Sequence, residues 1–308
     1  MTQDFGTQEL KEALERSLGF ALRPLERLGG AAAVNFKAVR DSDGLTFAVK
    51  CSPPSGQVLF DRLVEHLETL KGTKAVMRVF ERECPSTFRG YNLLCTAWCF
   101  GERVFPDRMT DGQLDGFLED YLAFSAAMQN VKTFESERPI PQWRQEALGK
   151  CRGLPGAIMR GLVAALRPDD CSYRPGLLRV IHGDLHHGNL LFAGGRVDRY
   201  LDLEEFRMGY PADDLVRYFV CAAEHLRWYA WRRRRRTLHA FAHAVRRLRY
   251  SRHEWMFAVN ACFISKLHIQ TGAAPRFTIW HALNLAWRAR FYREMRSVVE
   301  GALGGPDT

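Results

Sequence analysis

The chain has 308 residues, of which 46% are hydrophobic and 26% charged, so it can bury a substantial core as one large domain or as two lobes. The polar N-terminus lacks the basic start and apolar core of a signal peptide, and no apolar run approaches the roughly 18–20 residues of a membrane span. Eight scattered cysteines with no C-x-x-C pair argue against a zinc site or a disulfide framework and give the expectation of a cytoplasmic protein.

Along the chain, residues 9–18 read as a short helix. Leu25 to Val39 reads as strand, glycine turn (Gly29-Gly30) and strand, and Asp41-Ser42-Asp43-Gly44 as a turn. Leu45 to Lys50 alternates as a strand does. Gln57 to Leu70 carries helical periodicity through Leu59, Leu63, Leu67 and Leu70. Met77 to Phe80 and Tyr91 to Cys99 are apolar enough for two more strands. Asp111 to Met128 is an amphipathic helix with Asp111 as its expected cap, Pro139 to Trp143 an interruption, and Ala157 to Leu166 another helix. Short strands are expected at Leu178 to Ile181, Leu190 to Ala193 and Arg199 to Leu201, with Gly194-Gly195 as a hairpin turn. From Pro211 onward the pattern is mostly helical. The fold class expected is α+β: a β-rich lobe with one helix over residues 1–100, then a mostly helical lobe over 101–308, with a site between them.

The most informative stretch is Val180-Ile-His-Gly-Asp-Leu-His-His-Gly-Asn-Leu-Leu-Phe192. It places Asp184 and Asn189 five positions apart on a loop, with Asp202 thirteen residues further on. Phosphoryl transfer asks a protein to position the donor, to neutralise charge with Mg²⁺ and to orient the acceptor hydroxyl. Asp184 suits the last task, and Asn189 and Asp202 offer oxygen ligands of the kind a hard cation prefers. The D-x-x-x-x-N spacing is that of a protein-kinase catalytic loop. His182 and His186 are four apart, but the flanking glycines oppose a helix, so bracing the loop suits His182 better than metal ligation. His187 is expected to be exposed and is assigned no role. Lys50, at the end of a strand, suits contact with the α- and β-phosphates of ATP. Glu65 or Glu68 on the next helix is its expected partner, Glu65 by preference. Gly29 and Gly30 would let backbone N–H groups approach phosphate.

With these residues in view, the chain resembles the aminoglycoside phosphotransferase/choline kinase-like family of small-molecule kinases. Its H-G-D-L-H-x-G-N element appears as His182 to Asn189. Its later I-D-W-E and P-x-x-D-L elements appear as Leu201-Asp202-Leu203-Glu204 and Pro211-Ala212-Asp213-Asp214-Leu215. Gly29-Gly30 with Asn35-Phe36 matches its N-terminal element loosely. The resemblance implies a bilobal protein-kinase-like fold with residues 1–100 as nucleotide-binding lobe and hinge, and residues 101–308 as catalytic and substrate-binding lobe. It implies an ATP-dependent kinase with Asp184 as catalytic base, Asn189 and Asp202 as metal ligands, and Lys50 on phosphate. Backbone groups of about Thr96 to Trp98 would face the base, and Asp214 would support the loop. Leu203 stands where the family usually has Trp, and Ala31-Ala32-Ala33 makes the nucleotide loop poor in glycine.

The net charge of +9 is uneven. Residues 221–300 hold sixteen Lys and Arg against four acids, a net of +12, with Arg232 to Arg236 as one run beside Trp228, Tyr229 and Trp231. A solvated face, a contact for anionic lipid or lipopolysaccharide at the inner membrane surface, nucleic-acid binding and recognition of an anionic substrate all compete for that run. No groove-reading motif supports nucleic acid. Basic character also counts against a polycationic aminoglycoside and toward a sugar or lipid-linked saccharide as acceptor. The alternatives to an active kinase are a non-catalytic nucleotide-binding protein of the same fold and a basic nucleic-acid-binding protein.

Overall fold

The computed structural model describes residues 6–28, 33–76, 79, 85–133, 138–150, 157, 160, 161, 163, 166, 171–224, 230–273 and 279–304. The chain divides into two compact units. The first comprises Met1–Glu102, Leu191–Ala193 and Val197–Glu205, and the second Arg103–Leu190, Gly194–Arg196 and Phe206–Thr308.

The first unit is built on a five-stranded antiparallel sheet of β1 (Glu26–Leu28), β2 (Val34–Val39), β3 (Thr46–Ser52), β4 (Thr87–Phe88) and β5 (Tyr91–Ala97), in the order β1-β2-β3-β5-β4. Side chains alternate across a strand, and β3 shows the consequence. Phe47, Val49 and Cys51 are buried in a core that also takes Leu10, Leu14 and Leu18 of helix α1 (Thr7–Leu18), Phe36 and Ala38. Lys50 therefore points to the opposite face of the sheet. Helix α2 (Gln57–Thr69) buries Leu63, His66 and Leu67. A two-stranded hairpin, β7 (Leu190–Ala193) with β8 (Arg196–Tyr200), turns through Gly194 and Gly195, both at positive φ, the left-handed region glycine enters at little cost. The hairpin and the segment after it are sewn to the rest of this unit by three links. Tyr200 N–H donates to Ala75 O at 2.8 Å, Glu102 bridges Phe192, and the buried His66 ring bonds Leu203 O through Nδ1 at 2.6 Å.

The second unit is mostly helical: α3 (Asp111–Met128), α4 (Ile140–Lys150), α5 (Pro211–Glu224), α6 (Trp231–Arg247), α7 (Arg252–Ala273) and α8 (Ile279–Leu303). Helix α7 packs on α4, α5 and α8, and α6 packs on α5 and α8, around Phe219, Phe241 and Trp255. A small ribbon pairs β6 (Arg179–Ile181) with β9 (Arg207–Gly209), setting Ile181 opposite Arg207. Among the described residues no helix is long and apolar enough to cross a membrane.

The α+β class holds, with several local corrections. The cap of α3 is Thr110, not Asp111. Its side chain accepts from Gln113 N, and Gln113 reaches back to Thr110 N, a reciprocal capping box. Pro139 to Trp143 does not interrupt: α4 starts at Ile140, and Pro141 falls in the first turn, where no helical partner for its missing N–H is needed. Of the strand expected at 77–80 only Val79 is described, as an isolated bridge to Thr96. The helix expected at 157–166 lies largely outside the described residues, as do Gly29 and Gly30. Strands β4 and β9 are too short to leave a periodic signal.

Candidate active site

In the first unit, Lys50 lies 3.8 Å from Asp202 and donates a hydrogen bond to Glu204 Oε1. The pair is mostly shielded from water, whereas the Asp202 side chain is 56% exposed. Asp202 also adopts a left-handed backbone, φ 54°, a conformation that Asp and Asn enter more readily than other side chains do. That kink and the following 3₁₀ turn (Leu203–Glu205) aim the two carboxylates at one lysine. Glu65 does not take the expected role. The buried face of α2 runs through Leu63, His66 and Leu67, which leaves Glu65 exposed, and His66 rather than a glutamate meets the 203–205 turn. Glu68 is exposed too and pairs with Lys71. Thr96 is buried within β5, paired with Ala48 on one side and bridged to Val79 on the other, so its backbone lies inside the sheet. Trp98 lies one residue beyond the strand, under the Lys37 ammonium 5.4 Å from its ring centroid.

In the second unit, the loop from His182 to Asn189 is fixed from below by Asp214. Asp214 Oδ2 accepts His182 N–H at 2.8 Å and Oδ1 accepts Gly183 N–H at 2.9 Å, while Tyr121 Oη donates to the same carboxylate at 3.3 Å. Gly183 has φ 83° and gives the loop its turn. A Cβ on Gly188 would sit 2.6 Å from the His186 ring, so only glycine permits that approach. His182 is fully buried against Phe124 and Phe206, and its Nδ1 accepts Asp184 N–H at 3.4 Å, a hydrogen bond within the loop of the kind expected of it. His187 is half-buried and packs its ring on Phe105, so the expectation of an exposed ring is corrected.

Asp184 and Asn189 meet in this loop. Asn189 Nδ2 donates to Asp184 O at 3.0 Å and lies 3.4 Å from its Oδ2. Because the amide nitrogen is committed to a carbonyl, the amide oxygen is directed elsewhere, available to a cation. Gly188 N–H donates to His186 Nδ1 at 2.9 Å, which leaves the proton of the neutral ring on Nε2, 3.5 Å from Asp184 Oδ2. Arg217 of α5 donates to Asp184 Oδ1. Burial opposes a charge on Asp184, but the His186 hydrogen bond and the Arg217 charge together outweigh it and hold the carboxyl well below its usual range. Asn189 and Asp202 are hard oxygen donors of the kind magnesium takes. Among the described residues no group of three or more His, Cys, Asp and Glu could hold a metal ion.

Sequence reasoning missed Glu204, His186 and Arg217. Glu204 stood in the quoted pattern but received no role. Arg217 left no signal, because it lies thirty-three residues from Asp184 on a separate helix. The five-arginine run is divided by helical phase. Arg232, Arg235 and Arg236 are exposed, Arg233 forms a two-bond pair with Asp107, and Arg234 is buried with Glu294 at 3.0 Å and its guanidinium 4.5 Å from the Trp287 ring centroid.

Solved structures share this fold at low sequence identity. An aminoglycoside phosphotransferase from Alicyclobacillus acidocaldarius has a TM-score of 0.63 at 15% identity, with 94% of each chain covered. A macrolide 2′-phosphotransferase from Brachybacterium faecium has a TM-score of 0.60 at 17% identity, covering 98% of this chain and 99% of its own. A spectinomycin phosphotransferase in complex with ADP and spectinomycin has a TM-score of 0.61 at 12% identity, covering 97% of this chain and 98% of its own. No curated protein sequence matches. A family model described as the phosphotransferase enzyme family matches residues 25–255, three quarters of the chain, including Lys50, the loop from His182 to Asn189, Asp202, Glu204, Asp214 and Arg217, and the chain belongs to that family.

Proposed function

We propose that the protein transfers the γ-phosphoryl group of ATP to a hydroxyl of a small molecule, with Asp184 as the residue that orients the hydroxyl. The observation that carries the reading is the loop from His182 to Asn189. Its backbone N–H groups are fixed by Asp214, and its Asn189 amide is turned by the Asp184 carbonyl. Preorganisation of this kind is what a positioning catalyst requires.

In this reading Lys50 contacts the α- and β-phosphates, and Glu204 holds its ammonium in place. Asn189 and Asp202 would hold Mg²⁺, which supplies charge neutralisation at the β- and γ-phosphate oxygens. Asp184 accepts a hydrogen bond from the acceptor hydroxyl and takes its proton as the new P–O bond forms and the bond from the γ-phosphorus to the β–γ bridging oxygen breaks, ADP leaving with that oxygen. A carboxylate with a lowered pKa is a weak base, which is compatible with a loose transition state in which the proton leaves late. Trp98 and the residues after it, past the end of β5, are assigned to the adenine ring. Nucleotide-bound relatives of the same fold, with AMP-PNP and hygromycin B or with ADP and spectinomycin, support ATP as donor and a hydroxyl compound as acceptor.

The acceptor is read as a sugar or lipid-linked saccharide. A separate contact with an anionic surface is supported by Trp231, Arg232, Arg235, Arg236 and His239, which line an open groove on α6. The test is Mg²⁺-dependent ADP release across a panel of hydroxyl acceptors, expected to fall by about 10²–10⁴ in Asp184→Asn. Wild-type turnover in that variant would remove Asp184 from the chemistry.

A further inference from the structure

Three arginines border the loop that carries Asp184 in the second unit, and the fold leaves part of their donor capacity unused. Arg207, paired in register with Ile181 one residue before the loop, is only 6% exposed, and its Nε and Nη1 are buried with no hydrogen-bond partner. Arg217 spends Nη2 on Asp184, while its Nε is likewise buried and unpartnered. Arg138 gives Nη2 to Gly183 O at 3.1 Å. Burial pushes the Arg138 pKa down to about 10, and the charges of Arg207 and Arg217 push in the same direction, so the three guanidinium groups feel one another. Burying guanidinium donors without partners costs stability, and an anion that accepts from them recovers it.

The surrounding carboxylates do not accept from these unpartnered donors. Both oxygens of Asp214 are taken by the N–H groups of His182 and Gly183. Asp184 pairs with Arg217 alone among the three. Asp213 feels the Arg207 charge without forming an ion pair with it, and its Oδ2 accepts from Tyr173 Oη at 2.8 Å and from Tyr210 N–H at 3.3 Å. Asp184, Asp213 and Asp214 offset the three guanidinium charges, so what remains is hydrogen-bond capacity: Nε and Nη1 of Arg207 and Nε of Arg217, buried without an acceptor beside the loop that carries Asp184.

We infer that Arg138, Arg207 and Arg217 form an anion subsite next to Asp184 that takes a phosphate, sulfate or carboxylate group carried by the hydroxyl acceptor. The inference rests on the phosphotransferase reading for its biological sense, but the subsite is a property of the second unit alone. A bidentate guanidinium fork matches the oxygens of such a group, and three of them select against the polyamine acceptors that would need acidic walls. Arg217 then links recognition to chemistry, because an acceptor anion competes with Asp184 for it.

The probe is inorganic phosphate, titrated calorimetrically into the full chain without nucleotide. Wild type and Lys50→Ala are expected to bind it alike, and Arg138→Gln and Arg207→Gln at least tenfold more weakly. Arg207 is deeply buried, so Arg138→Gln decides if the other variant melts early. No binding by wild type, binding lost in Lys50→Ala, or binding unchanged in Arg138→Gln would overturn the subsite. A matched panel separates this from the kinase reading. ADP release on phosphorylated but not on neutral hydroxyl compounds supports the subsite, and release on neutral compounds alone refutes it. Phosphate binding that depends on Arg138, without ADP release on any acceptor, leaves the subsite standing and counts against the kinase reading.

Discussion

Arg217 donates from Nη2 to the Oδ1 oxygen of Asp184, while His186 faces the other oxygen of the same carboxylate at 3.5 Å. Both proton-accepting positions are thereby held by cationic or N–H groups. The Asp184 carboxyl, lowered by them, stays ionised as pH falls, and activity that needs the carboxylate is lost only once pH drops through that lowered value. Arg217→Gln raises it, so the acid limb of the pH profile of kcat/KM moves to higher pH. A profile that superimposes on wild type would show that the pairing has no hold on the carboxylate. Asp184→Asn, which keeps the shape but not the charge, is expected to lower kcat by about 10²–10⁴.

Lys50 is held by Glu204 and not by Glu65, and the two positions separate cleanly in experiment. Glu204→Gln removes the charge from a shielded charge-assisted hydrogen bond, worth about 1.5–3 kcal/mol. Expressed in catalysis, that is a loss of roughly tenfold to a hundredfold in kcat/KM for ATP. Glu65→Ala, on an exposed helix face, should stay within about 0.5 kcal/mol in stability and leave the ATP kinetics unchanged. The reverse ranking would restore the helix glutamate as the lysine's partner.

Asp213 gives a stability signature. Burial pushes its carboxyl up from 3.8 to about 6, against the pull of Arg207 and the Tyr173 hydroxyl. The folded chain therefore holds a proton that the unfolded chain has already released between about pH 4 and 6. The stabilisation is fully present below pH 4 and is lost as pH rises through about 6, by about 3 kcal/mol in total. Asp213→Asn should flatten this slope. Thermal melts of both proteins across pH 4–7 check it, and parallel curves would refute it.

Thr110 and Arg234 test two local statements. Thr110→Ala breaks the capping box of α3 and should cost about 1 kcal/mol, with little effect on catalysis. Arg234→Ala leaves Glu294 to Arg290 alone and empties the buried place beside Trp287 in the α6–α8 packing, and should cost about 2 kcal/mol, whereas Arg235→Ala should be neutral within about 0.5 kcal/mol. Urea melts at fixed pH rank all three.

Much of this was legible in the sequence because the informative signals are local. The alternation of Phe47, Val49 and Cys51 against Lys50 states which face the lysine occupies, and His182 to Asn189 states a loop whose glycines and polar residues fold on one another. What stayed hidden depends on contacts distant in sequence. His66 meets Leu203 across 137 positions, Arg138 meets Gly183 across 45, and Arg217 meets Asp184 across 33. No periodicity encodes such meetings. The arginine run was misleading for the opposite reason: in sequence it is one block, but at about 100° per residue a helix spreads it around its circumference, toward Asp107, Glu294 and solvent in turn.

The left-handed backbone of Asp202 narrows what could replace it. Glycine and asparagine would accept that conformation but lack the negative charge facing Lys50. Glutamate would restore the charge but fits the backbone poorly and reaches one methylene too far. Aspartate alone meets both demands, so in a saturation library this position should tolerate fewer residues than the far more buried Phe47 or Val49, where any apolar side chain of similar volume can be absorbed.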